Sequence, residues 1–217
     1  MNRIIIARHG NTFRTGEIPR RIGTKTDIPL VEYHKAESIG KYLKHNNLVP
    51  SAVYAAPLRR TVETAEIAVQ IMDIELEVRR LSDFSEIDYG HDENRTDEEI
   101  FIRLGKGNRD RGIAIIDAWN KNAIVPNGWQ ANSKKIMQTW IDFANRMLDC
   151  HSGQNTLIVS SNGIIRFAPC LTGNFEKFLQ EHDIKVSTGG ICIFEYIENE
   201  KKWRCCGWNI KPYEIYA

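Results

Sequence analysis

Apolar residues fall along this chain in short runs and in helical stripes, and the two kinds of pattern alternate. Ile4-Ile5-Ile6-Ala7 is a continuous apolar run ending at Arg8-His9-Gly10. Branched side chains in unbroken succession predict a strand covered on both faces. A polar, basic stretch rich in Gly and Pro over 13–29 reads as a loop. Over 31–46, Val31, Ala36, Ile39, Tyr42 and Leu43 recur at near-helical spacing and predict an amphipathic helix. Residues 51–56 then read as a short strand. Pro57 suits the first turn of a following helix to about residue 72, with Val62, Ala65, Ala68 and Ile71 on its buried side.

Strand, loop, helix, strand, helix predicts parallel pairing and an α/β fold. Farther on, Leu81, Phe84, Ile87 and Tyr89 interleave with the acids Glu77, Asp83, Glu86, Asp88, Asp92 and Glu93, which implies a partly buried acidic segment. Helices are expected near 96–105, 109–121 and 133–150, a strand at 156–160, and a helix from 164 to about 173. Two strands, 191–196 and 203–208, joined by a charged turn, read as an antiparallel hairpin at a sheet edge. Residues 212–217 read as a tail. There is no internal repeat and no low-complexity tract. The expected architecture is a three-layer α/β/α sandwich with a mixed, mostly parallel sheet. It forms one domain over 1–217, with a helical insertion at about 94–150 placed over the carboxyl edge of the sheet.

Composition narrows the function classes. At 217 residues the chain can hide roughly 70% of its unfolded surface. A net charge of +1 gives no global attraction for nucleic acid or an anionic membrane, so any basic site must be local. No apolar run approaches the ~20 residues of a membrane span, and the segment before Arg8 is too short for a signal peptide. The five cysteines are odd in number and form no C-x-x-C pair, which reads as reduced thiols and a cytoplasmic protein. The oligomeric state has no signature.

Three strand-to-helix loops carry functional groups: Arg8-His9, Arg59-Arg60 and Ser161-Asn162. In open α/β sheets ligands bind at the carboxyl ends of the strands. Arg8-His9 taken alone fits an exposed pair as well as an anion site. With the other two loops and the acids around Glu86, the set suits phosphoryl transfer. Arginine supplies planar bidentate donors for phosphate oxygens, a neutral imidazole can attack phosphorus, and a carboxylic acid can protonate the leaving oxygen.

Five ordered blocks resemble the histidine phosphatase superfamily, in its phosphoglycerate-mutase-like branch. Arg8-His9-Gly10-Asn11-Thr12 resembles R-H-G-x-T, and Thr26-Asp27-Ile28-Pro29-Leu30 resembles T-D-x-P-L. Ala56-Pro57-Leu58-Arg59-Arg60 with Thr64-Ala65 resembles S-P-L-x-R followed by T-A. The stretch from Leu81 to Glu86 and Tyr89-Gly90 resembles L-x-E-x-x-y-G, and Val159 to Arg166 resembles V-S-H-G-G-x-I-R.

The resemblance implies that His9 is the phosphorylated nucleophile and Glu86 the proton donor. It implies that Arg8 and Arg60 hold phosphate, with Asn11 and Thr12 lining the phosphate loop, and that no metal or other cofactor is needed. The implied partner is a small phosphorylated molecule, and the implied reaction a metal-independent phosphatase, with a mutase as the alternative. Glu93 falls near a second acidic position of the family. One departure stands out: Ser161 occupies the position of the family's second catalytic histidine, and Asn162 that of the following glycine. Ser161 and Asn162 are then neutral donors to phosphate, His91 becomes a candidate replacement cation, and a phosphate-binding protein with impaired chemistry enters as a further alternative. Gly128-Trp129-Gln130 departs from the family's G-E-S.

Overall fold

In a computed structural model that describes residues 2–216, strand β1 (Arg3–Arg8) lies inside a sheet rather than at its edge. Met1, and Ala217 at the end of the expected tail, lie outside the described residues. After β1 come α1 (His34–His45), β2 (Ala52–Ala55), α2 (Arg59–Met72) and β3 (Val78–Arg80). Helices α3 (Asp97–Leu104), α4 (Arg109–Asn122) and α5 (Ser133–Cys150) precede β4 (Asn155–Ser160). The short helices α6 (Asn162–Ile165) and α7 (Phe175–Glu181) lead to the hairpin of β5 (Ile191–Ile197) and β6 (Lys202–Ile210), and α8 (Pro212–Ile215) follows. The described strands form one sheet in the order β3-β2-β4-β1-β5-β6. β3, β2, β4 and β1 run parallel to their neighbours, while β5 is antiparallel to both β1 and β6.

The run of isoleucines is explained by this position. Ile4 and Ile6 enter one core with Tyr54, Phe84, Trp140, Phe143 and Ile158. Ile5 and Ala7 enter the other with Ile39, Leu43, Val53, Ala65, Ala68 and Leu157. Side chains alternate across a strand, so a strand covered on both faces must be apolar at every position. All three isoleucines are fully buried, and each contributes about 1.5–3 kcal/mol by leaving water. Helices α1 and α2 cover one face. The other face is covered by α5, whose Phe143 meets Tyr54 at 5.4 Å, together with the segments after β4. The result is the expected three-layer α/β/α sandwich with a mixed, mostly parallel sheet.

Several boundaries differ from expectation. α1 begins at His34 rather than at residue 31, because Val31 is held by the Asn11 carbonyl (3.0 Å) and stays outside the helix. Strand β3 was not expected. It has three residues, two of them exposed arginines, and pairs only with β2, so it shows no alternation. The helix expected over 164–173 is split into α6 and a 3₁₀ turn at Ala168–Thr172. Pro169 has no N–H and disfavours helix in the residue before it. α7 was also missed; it is short, and Asn174 caps it by accepting from the Lys177 N–H (3.0 Å). The tail folds at Pro212 into α8. Within the expected insertion, the buried residues of α3 (Ile100, Leu104), α4 (Ile116, Trp119) and α5 (Trp140, Phe143) all enter the core that holds Ile4 and Ile6.

α1 and α2 approach closely at Gly40, where an added Cβ would lie 2.7 Å from the Ala68 carbonyl oxygen and 2.7 Å from Ile71 Cβ. Alanine at a helix interior gains up to about 1 kcal/mol over glycine, but overpacking costs about 1–3 kcal/mol. Gly40→Ala is therefore expected to lower the unfolding free energy by about 1–2 kcal/mol in a urea titration. A gain in stability would mean that the two helices move apart freely.

Candidate active site

β1 and β4 run in parallel with Arg8 opposite Ser160, so the residues just beyond them, His9 and Ser161, leave the sheet side by side. The His9 N–H donates to the Ser160 carbonyl (3.1 Å), and the Gly10 N–H donates to Thr64 Oγ1 on α2 (3.0 Å). The imidazole is 4% exposed. Its Nδ1 lies 2.8 Å from the Gly10 carbonyl oxygen. A carbonyl can only accept, so Nδ1 carries the proton and Nε2 keeps its lone pair. Burial, then the charges of Arg60 and Arg8, hold the imidazole well below its usual 6.5, against a weaker opposing pull from the Gly10 bond. His9 is neutral at pH 7, which is the form a nucleophile needs.

Arg60 is fully buried at the start of α2. Its Nη1 donates to the Thr26 carbonyl (2.7 Å) and its Nη2 to the Gly23 carbonyl (3.2 Å). The Thr26-Asp27 pair acquires a local reason. Thr26 supplies that carbonyl, and Asp27 accepts from the Arg59 N–H at the first turn of α2 (2.7 Å). Arg59 itself points outward to Glu63. Arg8 donates through Nη1 to the Val186 carbonyl (2.6 Å). Burial lowers the pKa of both Arg8 and Arg60, and the nearby Glu86 charge opposes it.

Glu86 sits on the loop between β3 and α3, pinned to the sheet edge where Ser160 Oγ donates to the Phe84 carbonyl (2.8 Å). Phe84 is wedged against Trp140 and Phe143 at 4.6 and 5.2 Å. The Glu86 carboxylate accepts from the Ile87 N–H (2.9 Å) and the Gly163 N–H (3.3 Å). An added Cβ on Gly163 would lie 2.1 Å from Glu86 Oε1, so glycine there makes room for the acid.

Arg8, His9, Asn11, Thr12, Glu86 and Asn162 line one cleft of about 720 Å³. A groove of about 810 Å³ between α2 and β3 holds none of them. Asn11 is already engaged, donating to Glu32 (2.9 Å) and accepting from Thr188 Oγ1 (2.7 Å). Asn162 Oδ1 accepts from the Val186 N–H (2.9 Å), which leaves its amide N–H groups for a ligand. Ser161 is fully buried. Around His9, three buried donors have no partner among the described residues: Arg8 Nε, Arg60 Nε and Ser161 Oγ.

Two readings are corrected. Glu93 does not line the cleft. Its Oε1 clamps the loop that holds Arg60, accepting from the Gly23 N–H (2.9 Å) and Thr26 Oγ1 (2.7 Å). His91 is exposed and also lies off the cleft, so it supplies no cation there. Among the lining residues that drew no individual role from the sequence are Arg21, Tyr89 and Arg166. The signal present for Arg166 was its place five residues after Ser161 in a matched block.

A model of the histidine phosphatase superfamily (branch 1) matches residues 4–211. The chain belongs to that superfamily. Among solved structures, YhfR of Bacillus stearothermophilus is similar at 20% identity and a TM-score of 0.75, covering 97% of this chain and 98% of its own. A phosphoserine phosphatase of Entamoeba histolytica, in complex with phosphoserine, is 18% identical with a TM-score of 0.73, covering 98% and 99%. A phosphoglycerate mutase of Bacillus anthracis is 19% identical with a TM-score of 0.76, covering 99% and 95%. No curated protein sequence matches the chain. These neighbours share the α/β sandwich, and the superfamily comprises enzymes acting on phosphate esters. No helix of the described residues is long and apolar enough to cross a membrane.

The lowered pKa of His9 has a consequence for stability. As pH falls below about 6.5 the unfolded chain takes up a proton at His9 and the native state does not, so stability drops with falling pH. Compared with His9→Gln, the wild-type protein is expected to lose up to about 1.4 kcal/mol per pH unit below 6.5. Urea titrations of both proteins at pH 7.5, 6.5 and 5.5 measure this; parallel curves would show an imidazole that titrates normally.

Proposed function

We propose that this protein is a metal-independent phosphatase that hydrolyses a small phosphomonoester through a phosphohistidine at His9. The reading rests on one observation: a buried, neutral imidazole with Nε2 unprotonated, set between two arginines whose Nε donors are unpartnered. Arg8 and Arg60 hold the phosphoryl oxygens, assisted by the Asn162 amide and the Ser161 hydroxyl, within the loop formed by Asn11 and Thr12. The Nε2 lone pair attacks phosphorus, the phosphorus–oxygen bond to the leaving group breaks, and Glu86 gives that oxygen its proton. A water molecule then attacks the phosphohistidine and passes its proton to Glu86. This releases inorganic phosphate and restores the imidazole.

The arginines and any histidine at position 161 act on charge that develops in the transition state. Ser161 contributes one neutral hydrogen bond where a histidine would contribute a charged one, about twice as strong. That observation favours a second reading, a phosphate-binding protein of low turnover.

Hydrolysis of p-nitrophenyl phosphate in the presence of EDTA tests the first reading. Phosphate release should disappear in His9→Ala, and intact mass spectrometry should find a phosphoryl group on the wild-type protein alone. Release that survives His9→Ala would overturn the mechanism, and phosphate binding with neither labelling nor release would leave the binding protein. Interconversion of phosphoglycerates in a coupled assay would instead show a mutase. Ser161→His should raise the rate by up to about 10²-fold, the usual worth of one such donor. Gly163→Ala should lower it by a comparable factor by displacing Glu86, with little change in affinity for inorganic phosphate.

A further inference from the structure

One wall of the cleft carries charge that the proposed chemistry does not use. Arg166, just beyond α6, is 2% exposed. Its guanidinium lies 3.8 Å from the centre of the Trp119 ring. Among the described residues its hydrogen bonds go to backbone carbonyls alone, from Nη1 to Trp119 (2.6 Å) and from Nε to Asn162 (3.2 Å). Arg21 sits over Trp129 at 4.9 Å and Tyr89 at 5.4 Å, and its one carboxylate partner is the exposed Asp97 at 2.9 Å. Trp119 and Trp129 pack edge to face at 5.4 Å behind the two arginines, buried and set back from the cleft lining, which at this place is made by Arg21, Tyr89 and Arg166. Two buried donors here, Arg21 Nε and Trp119 Nε1, have no acceptor among the described residues.

Physically the arrangement is unbalanced. A buried guanidinium without a counter-charge is costly, and the cost falls when an anion arrives. Burial pulls Arg166 down to about 10; Tyr89 and Glu86 oppose this, and the charges of Arg21 and Arg8 add to it. The cleft as a whole is lined by seven Lys and Arg side chains and four Asp and Glu side chains. Arg166 is within electrostatic reach of Glu86 and Tyr89. Since Glu86 faces the leaving oxygen, the wall beside it faces the rest of the leaving group.

We propose that the leaving group carries a second anionic group, a carboxylate or a phosphate, bound by Arg166 and Arg21 on the side of the cleft lined with Tyr89. The inference rests on the phosphatase reading for its orientation, but its test reads binding as well as turnover. Arg8 and Arg60 take the phosphoryl group being transferred; Arg166 and Arg21 select what it is attached to.

The test compares esters that differ in one charge: 3-phosphoglycerate against glycerol 3-phosphate, and fructose 1,6-bisphosphate against fructose 6-phosphate. The wild-type protein should prefer the charged member of at least one pair by 10-fold or more in kcat/KM. The first pair reports a carboxylate and the second a phosphate. Arg166→Gln and Arg21→Gln should each reduce that ratio by about 10- to 100-fold, the usual worth of a buried hydrogen bond to a charged group. Arg166→Lys, which keeps the charge and most of the packing, should retain part of it.

The same ratio is measured as a Kd ratio by calorimetry on the His9→Ala protein. If no ester is hydrolysed, the phosphatase reading fails and the binding ratio alone decides this inference. A wild-type ratio near one in both pairs would overturn it. So would an Arg21→Gln variant and a folded Arg166 variant that weaken charged and neutral members by the same factor.

Discussion

Strands β1 and β4 pair in parallel with Arg8 opposite Ser160, and the site depends on that pairing. It sets His9 beside Ser161 although 151 residues intervene in the chain. Around this pair the backbone is fixed by hydrogen bonds to neighbouring main chain and to short, buried hydroxyl side chains. The His9 N–H is held by Ser160, Gly10 is held by Thr64, and the Ser160 hydroxyl holds the loop that carries Glu86. A site tied down by such bonds at the edge of a rigid sheet loses little entropy when it organises a ligand.

Burial then sets the chemistry. His9 and Arg60 are almost removed from water, and the imidazole responds by staying neutral while the guanidinium stays charged. Neutral imidazole costs little to bury, and two positive neighbours make protonation harder still. Arginine has no accessible neutral form, so its burial must be offset by acceptors. For Arg60 the acceptors are the carbonyls of the 23–26 loop, which explains why that loop is clamped in turn by Glu93. Arg166 is held in the same way by the Trp119 and Asn162 carbonyls and Arg21 by the Asp97 carboxylate, with the ring faces of Trp119 and Trp129 added. A ring face attracts a cation weakly without neutralising it.

Much of this was legible in the chain. The apolar runs at 4–7, 51–56 and 156–160 and the helical stripes between them were sufficient for the α/β sandwich. Fully covered strands and amphipathic helices leave unambiguous periodicities. β3 was invisible because an edge strand of three residues has too few partners to impose a pattern. The break after α6 was signalled by Pro169, but the helical apolar spacing around it outweighed that single residue. Arg8, His9, Arg60 and Glu86 were legible through residue type and ordered blocks. Glu93 was open as a minor alternative to Glu86, because an acid in an acidic loop does not announce whether it faces a ligand or, as here, a backbone N–H.

By itself the sequence determined which segments are buried, that strands alternate with helices, and which residue types stand at the ends of strands. These are local properties, written in periodicity and in the conformational limits of single residues. Only the tertiary structure decided that His9 meets Ser161, that Arg60 is held from the 23–26 loop, and that Arg21 and Arg166 stack on the packed rings of Trp129 and Trp119. Those relations join residues tens to hundreds of positions apart. They depend on strand order and register, which a chain's local pattern constrains without specifying. The Arg8-His9 pair illustrates both halves. Its place at the end of a buried strand was fixed by the residues before it. Its protonation is set by burial and by Arg60, a residue brought to it through the packing of α2 against the sheet.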